Sequence, residues 1–240
     1  MNDQVKYSLA GFCMGVAELI PGISGSTVAV IFKIYPNLMS ILSQLRLKNF
    51  SLNFALTSQI FQFRVSLPLI LSMFAAILLC SNLITFLINN YEKLFLSLLG
   101  WLMMLLSIYV ADFFRDSFKK FNLLIFLILG LLIGYILQEL NIGSGVVTPL
   151  YLFISGLIAF TFFLIPGISG SAILVVLGIY SPVIQAIADF NFLFLFPFAL
   201  GCLISLLILP KIVVSLYAEY EQNLIYIFSG LIFSSGYFLL

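Results

Sequence analysis

The sequence LIPGISGS occupies residues 19–26 and recurs without change at residues 164–171. At the same offset of 145 residues, Tyr35 pairs with Tyr180. Eight identical residues in a chain of 240 are not expected by chance, so the match indicates an internal duplication. The Pro-Gly pair breaks a helix, which predicts a non-helical loop used twice. The two loops either serve structure alone or form the two halves of one site.

A second offset extends the duplication. At 129 residues, Pro68 falls on Pro197 and Tyr91 on Tyr220. Each copy therefore consists of a broken helical hairpin, a span, a turn and a second span. We place repeat 1 at residues 11–111, repeat 2 at 149–240 and an unpaired linking span at 123–140, all within one transmembrane domain, residues 1–240.

The composition is that of a membrane protein. The chain is 63% hydrophobic and 8% charged, against about 25% charged residues in globular proteins. Several apolar runs approach the roughly 20 residues that a membrane helix needs. We predict an all-α polytopic membrane protein with about five full spans, at 65–89, 94–111, 123–140, 191–213 and 224–240.

Shorter helices flank the two motif loops. We expect helices at 5–20 and 149–165 before them and half-helices at 27–35 and 172–180 after them, with Pro36 ending the first half-helix. The more polar stretch 38–63 is predicted to be an interfacial amphipathic segment. Residues 91–93 are predicted to form a tight turn.

Basic residues distinguish two arrangements of the broken hairpins. If each hairpin re-enters the membrane and returns, one face carries eight basic residues and the other only Lys93. The eight are Lys6, Arg46, Lys48, Arg64, Arg115, Lys119, Lys120 and Lys211. If each hairpin crosses once, the division is six against three. Because basic residues concentrate in cytoplasmic loops, we predict two re-entrant hairpins in an inverted-topology repeat, with a cytoplasmic N-terminus and an extracytoplasmic C-terminus.

The motif loops are candidate anion sites. Irregular backbone at membrane depth is stable only where it is buried in protein or lines a wet cavity. Glycines let the backbone approach a ligand, serines donate hydrogen bonds, and the following helix begins with unpaired N–H groups. The candidate phosphate-binding residues are Gly22, Ser24, Gly25, Ser26, Thr27, Gly167, Ser169, Gly170 and Ser171. Alternatively, the serines only cap their own helices.

Two charged residues near the first loop have no counterpart near the second. Glu18, which corresponds to Phe163 in the second copy, lies one turn before the loop. A carboxyl group at this depth in the membrane is energetically costly. Glu18 is a candidate for proton or cation coupling, or for a buried structural hydrogen bond. Lys33, opposite Gly178, either compensates the charge of a bound phosphate or extends to the cytoplasmic surface.

The chain lacks the residues that several kinds of catalytic and metal-binding site need. The chain has no histidine, and its three cysteines lie singly in apolar runs. Imidazole bases, histidine metal sites and a disulfide framework are therefore excluded. We expect no catalytic residue, no metal, no cofactor and no nucleic-acid partner.

The chain resembles the bacterial polyprenyl-phosphate transporter family over essentially its whole length. The resemblance rests on Glu18, on residues 21–27 and 166–171, and on residues 178–180. It implies a flippase that recycles undecaprenyl phosphate, the lipid carrier of cell-wall glycans such as peptidoglycan, from the outer to the cytoplasmic leaflet. Lys33 stands where the family pattern has glycine, and Pro36 follows Tyr35 where the family often has an acidic residue.

The leading hypothesis is a lipid-phosphate flippase in the bacterial cytoplasmic membrane. The phosphate of the polyprenyl lipid would bind where the two loops meet, the tail would stay among the membrane lipids, and Glu18 protonation is the candidate coupling step. A transporter or channel for a small anion is an alternative, because it would bind its ligand through the same N–H and hydroxyl donors. An intramembrane lipid phosphatase is the second alternative, against which the lack of histidine and of clustered carboxylates argues. The oligomeric state is open, and a homo-oligomer is possible.

Overall fold

The computed structural model describes residues 2–46, 49, 54–111, 121–140 and 147–240, and these residues form helices without any β-strand. The prediction of an all-α fold is confirmed. The helices of this described part are α1 (Asp3–Glu18), α2 (Gly25–Ile31), α3 (Tyr35–Ser43), α4 (Phe54–Ile60), α5 (Phe63–Val110), α6 (Phe121–Glu139), α7 (Pro149–Leu164), α8 (Gly170–Val176), α9 (Tyr180–Ala188) and α10 (Phe192–Tyr237).

Three of these helices are long and apolar enough to cross a membrane. They are α5, α6 and α10, and a fourth candidate is the pair α8 and α9, bent by 113°. Within their most apolar windows, only 17%, 11% and 11% of the residues of α5, α6 and α10 are buried inside the protein. These helices therefore present apolar side chains outward, as lipid-facing helices do.

Both very long helices contain one break. Tyr91 in α5 has φ −138° and ψ 30°, and Tyr220 in α10 has φ −127° and ψ 37°. The break at Tyr91 lies where the turn was predicted. The predicted span 191–213 ended too early, because α10 stays helical up to Tyr220.

The predicted half-helices 27–35 and 172–180 were wrong in their bounds. The helix α2 ends at Ile31, and Lys33 then adopts a left-handed φ of 55°. In the second copy, α8 ends at Val176 and Gly178 has a φ of 68°. A new helix follows each break. Pro36 lies in the first turn of α3 and does not end a helix, because its fixed φ and missing N–H are tolerated there.

The helix α3 forms the first part of the segment 38–63, whose position at the membrane interface stays a prediction. The helix α3 extends to Ser43 and buries Met39 completely, at 0% exposure. Residues 47–48 and 50–53 of that segment lie outside the described residues, as do 112–120 and 141–146 on either side of the predicted span 123–140. The first helix ends at Glu18, two residues before its predicted end.

Glycines bring the helices together, and two of these contacts are counterparts in the duplication. A methyl group on Gly11 of α1 would meet the main-chain oxygen of Leu69 in α5. A methyl group on Gly156 of α7 would meet that of Phe198 in α10. Small residues of this kind allow the close backbone approach that holds membrane helices together. Helix α6 packs against the last part of α10 through Gly130.

Candidate functional site

Both motif loops line one cavity of about 660 Å³, here called cavity A. The first loop contributes residues 19–23, preceded by Glu18, and the second contributes residues 167–169 and Ser171. The volume lies within the range of about 300–1,000 Å³ that is usual for small-molecule sites. Glu18 is the charged residue among those that line cavity A, and no lysine or arginine is among them.

The two glycines of each motif have different structural roles. The first one forms the turn, with φ values of 84° at Gly22 and 86° at Gly167. The second one lets the short helix return against the long one. A methyl group on Gly25 would lie 2.7 Å from Glu18 Oε1, and one on Gly170 would lie 2.9 Å from the Ala159 oxygen. Gly170 therefore requires glycine, because its neighbour is main chain, whereas a methyl group on Gly25 would displace the Glu18 carboxyl group.

The serines form matching pairs. The hydroxyl oxygens of Ser24 and Ser26 are 2.7 Å apart, and those of Ser169 and Ser171 are also 2.7 Å apart. Ser24 additionally accepts a hydrogen bond from the Ser26 N–H at 3.3 Å and so caps α2, whereas the side chain of Ser169 makes no capping bond to α8. The predicted capping alternative thus holds for Ser24 and not for Ser169.

The Glu18 side chain forms a hydrogen bond with the first motif inside the same hairpin. Its Oε1 accepts the N–H of Gly25 at 2.8 Å, which satisfies one of the free donors at the start of α2. Phe163, at the equivalent place in the second copy, has no side-chain acceptor. Within the described residues, the N–H groups of Gly170 and Ser171 have no hydrogen-bond partner. The second motif therefore has N–H donors available for a ligand, whereas in the first motif the corresponding donors already have partners.

Among the described residues, three hydrogen bonds join side chains of the first hairpin to the end of α7 and the second motif. The N–H of Gly167 donates to Thr27 Oγ1 at 2.8 Å. The hydroxyls of Ser24 and Tyr35 donate to the main-chain oxygens of Phe163 and Leu164, at 3.3 and 3.1 Å. In each bond a side chain of the first copy meets a main-chain atom of the second. These main-chain atoms lie where α7 ends and its last carbonyl groups lack helical partners.

The predicted site residues fall into three groups. Five of them line cavity A: Glu18, Gly22, Gly167, Ser169 and Ser171. Five lie behind its wall, all buried: Ser24, Gly25, Ser26, Thr27 and Gly170. Lys33 is separate from both groups, because it lines a second cavity of about 400 Å³, here called cavity B.

Some residues of cavity A escaped the sequence reasoning. Gln138 of α6 and Ser235 of α10 line it, and the Ser235 hydroxyl donates to the Gly22 oxygen at 2.8 Å. Both residues lie outside the repeated motif, and their one signal is a polar side chain within an apolar span. Tyr35 was noted only as half of a repeated pair, although its ring is fully buried.

Comparison with known proteins decides the family. The model of a protein family described as undecaprenyl phosphate translocase-like matches residues 14–239. The chain belongs to this family. A curated polyprenyl-phosphate transporter of Vibrio cholerae serotype O1 is 32% identical over 246 aligned positions, covering 96% of this chain and 75% of the relative. No solved structure matches the chain.

Family membership indicates that the apolar helices lie in a membrane. The match spans both motifs and all three helices that are long and apolar enough to cross a membrane. The protein is therefore an integral membrane protein of the translocase-like family. The resemblance noted in the sequence is confirmed.

Proposed function

We propose that this protein carries polyprenyl phosphate across the bacterial cytoplasmic membrane. Its cargo is undecaprenyl phosphate, which it returns from the outer to the cytoplasmic leaflet for cell-wall glycan synthesis. The observation that carries the proposal is cavity A, a cavity lined by both copies of the motif in a member of the translocase-like family. The Vibrio cholerae relative named polyprenyl-phosphate transporter supports the choice of cargo.

The second motif is the main contact for the phosphate. Ser169 and Ser171 line cavity A, and the Ser171 N–H has no partner within the described residues. Hydroxyl and N–H donors of this kind form strong bonds to a phosphate oxygen, because the acceptor is charged. Cavity A holds the headgroup, and the isoprenoid tail remains among the membrane lipids.

Glu18 couples transport to protons. Its carboxyl group lines the same cavity as the serines. An ionised carboxylate and a phosphate in one cavity repel each other, so phosphate binding and protonation of Glu18 favour one another. When Glu18 is protonated, the remaining negative charge in the cavity is that of the cargo.

The helix lengths support about five full spans. At about 1.5 Å per residue, the 48 residues of α5 would extend about 72 Å if straight, more than twice the roughly 30 Å hydrocarbon thickness. The same holds for the 46 residues of α10. Each of them therefore supplies two spans that meet at Tyr91 or Tyr220, and α6 supplies the fifth.

The contacts between α5 and α10 support an inverted repeat. A methyl group on Gly100 would lie 2.5 Å from the Gly236 oxygen, and the Ser229 hydroxyl donates to the Ser107 oxygen at 2.6 Å. At the offset of 129, Gly100 corresponds to Ser229 and Ser107 to Gly236. Each contact is thus the counterpart of the other with its partners exchanged, which is the mark of a twofold axis. Together with re-entrant hairpins and the excess of basic residues on one face, this axis supports the proposal of a cytoplasmic N-terminus and an extracytoplasmic C-terminus.

A vesicle assay tests the proposal. Purified protein is placed in vesicles that carry undecaprenyl phosphate in both leaflets, and an added phosphatase attacks the headgroups exposed outside. We expect the protein to expose the inner pool, so that hydrolysis proceeds beyond the half seen in protein-free vesicles. A plateau at one half with folded protein would contradict transport. Phosphate release by the protein without phosphatase would instead indicate a lipid phosphatase, and uptake of inorganic phosphate would indicate an anion transporter.

A matched variant tests the coupling. Glu18→Gln keeps an oxygen that can accept the Gly25 N–H bond but does not ionise. We expect the transport rate of the wild type to depend on pH and that of Glu18→Gln to lose this dependence. An unchanged pH profile in Glu18→Gln would remove Glu18 from the coupling step and leave transport itself standing.

A further inference from the structure

Cavity B is a second chamber of about 400 Å³ beside the break of α10 at Tyr220. Gln222 lines cavity B and Phe238 lines cavity A. Sixteen residues separate them along α10, which corresponds to about 24 Å. The two cavities therefore lie at opposite ends of this part of the molecule.

The linings of the two cavities correspond through the duplication. Residues of cavity B and their counterparts in cavity A are Val30 and Val175, Ile31 and Val176, Tyr35 and Tyr180, and Tyr109 and Phe238. The first three pairs have the offset of 145 and the last has 129. Each cavity thus lies against one hairpin and its adjoining span.

Tyr35 lies between the two cavities. It lines cavity B, while its hydroxyl donates to the Leu164 oxygen, at the start of the second motif. Its ring packs edge-on against Phe228 and at a tilt against Tyr217, with centroid distances of 5.4 and 6.2 Å. Its counterpart Tyr180 is 40% exposed. A single buried side chain thus links the lining of cavity B to the motif that lines cavity A.

Lys33 is the basic residue among those that line the two cavities. Its amino group lies 5.8 Å from the centre of the Tyr109 ring. Its φ of 55° is left-handed, a conformation that glycine adopts without strain and that Gly178 adopts in the second copy. Strained non-glycine residues are frequent at functional sites.

We propose that cavity B is a second binding site for a phosphate group, with the Lys33 amino group as its positive charge. The inference rests on the proposed function, because that function supplies the phosphate-bearing lipid as the ligand. Glu221 lines the same cavity and weakens the attraction for an anion. The site is therefore built for moderate affinity, which suits release of a cargo.

Lysine labelling tests the proposal on the full chain in detergent. An acetylating reagent modifies exposed amino groups, and mass spectrometry measures each lysine separately. We expect undecaprenyl phosphate to slow acetylation of Lys33 about fivefold, as one charge pair near the surface would. Lys93, which is exposed and outside both cavities, is the internal control and should not change.

Three ligands identify the source of the phosphate group. Protection by undecaprenyl phosphate and not by inorganic phosphate assigns cavity B to the lipid headgroup. Protection by both supports a site for phosphate from either source. Protection by undecaprenol, which has the tail without the phosphate, would overturn the proposal.

Two variants separate this inference from the proposed function. Glu221→Gln should lower the lipid concentration needed for half protection of Lys33. The double variant Ser169→Ala, Ser171→Ala should keep that protection, because it alters cavity A alone. If the lipid binds and Lys33 stays unprotected, cavity B is not a phosphate site and the proposed function stands. If the lipid does not bind the wild type at all, both are overturned.

Discussion

The two motifs share eight identical residues and differ in almost everything that surrounds them. In the first, Ser24 caps its helix, Glu18 takes the Gly25 N–H, and Thr27 reaches into the other copy. In the second, Ser169 makes no cap and lies on the cavity wall with Ser171. Both loops line cavity A, but the serines of the first motif are buried in structural contacts, whereas those of the second line the cavity. The difference comes from positions next to the motifs that are not identical in the two copies. Glu18 corresponds to Phe163, and Thr27 corresponds to Ala172.

The largest contrast should come from the turn glycines. A methyl group on Gly167 would lie 2.5 Å from the main-chain carbon of Leu231, whereas one on Gly22 meets only the Leu239 side chain at 3.1 Å. Both glycines have positive φ. Gly167→Ala should therefore lower the free energy of unfolding by about 3 kcal/mol, and Gly22→Ala by about 1 kcal/mol. Denaturant titrations in mixed micelles measure both, and equal losses would show that the copies are packed alike.

The hydrogen bond between the Gly167 N–H and Thr27 joins the two copies and can be removed by mutation. Thr27→Val keeps the shape but leaves the buried Gly167 N–H without an acceptor, which should cost about 1–3 kcal/mol of stability. Thr27→Ser keeps the hydroxyl and is the matched control. If Val and Ser at this position lower the unfolding midpoint equally, the hydrogen bond does not hold the copies together.

Identical serines should have different effects. Ser24→Ala removes the cap of α2 and should lower stability by about 1 kcal/mol. Ser169→Ala should leave stability nearly unchanged and weaken undecaprenyl phosphate binding about tenfold, since a bond to a charged acceptor is lost. Thermal unfolding and lipid binding are measured on both variants. The reverse pattern would exchange the roles assigned to the two motifs.

The smallest effect concerns Lys33 and its counterpart Gly178. Lys33→Gly should raise stability by about 1 kcal/mol, because glycine adopts the left-handed φ of 55° without strain. Lys33→Ala removes the same charge but keeps the β-carbon, so it should give no such gain. A gain of equal size in both variants would trace the effect to the charge and not to the backbone.

Local conformation followed from the sequence where the two copies agree. Gly22 and Gly167 adopt nearly the same φ, and the long helices break at Tyr91 and Tyr220, the pair that the second offset had aligned. These features depend on a few adjacent residues, so they are encoded locally. Pro36 was misread, because proline is compatible with both the first turn of a helix and its end, and the left-handed residue before it decides which.

The division of roles between the motifs did not follow from the sequence. Capping and ligand binding use the same serine hydroxyl, and the choice depends on helices that are distant in the chain. Gln138 and Ser235 join cavity A only through the packing of α6 and α10. Lys33 is near the first motif in sequence but lines cavity B, because α2 carries it away from the loop.

The three bonds from the first hairpin to the end of α7 and the second motif have a consequence for tolerance to mutation. Their side chains all belong to the first copy, at Ser24, Thr27 and Tyr35. Positions 163 and 164 contribute only main-chain oxygens. In a library of substitutions, the three first-copy positions should accept few residues. Positions 163 and 164 can change side chain without losing these bonds, so substitution should be tolerated better at the main-chain end of the two bonds than at the side-chain end.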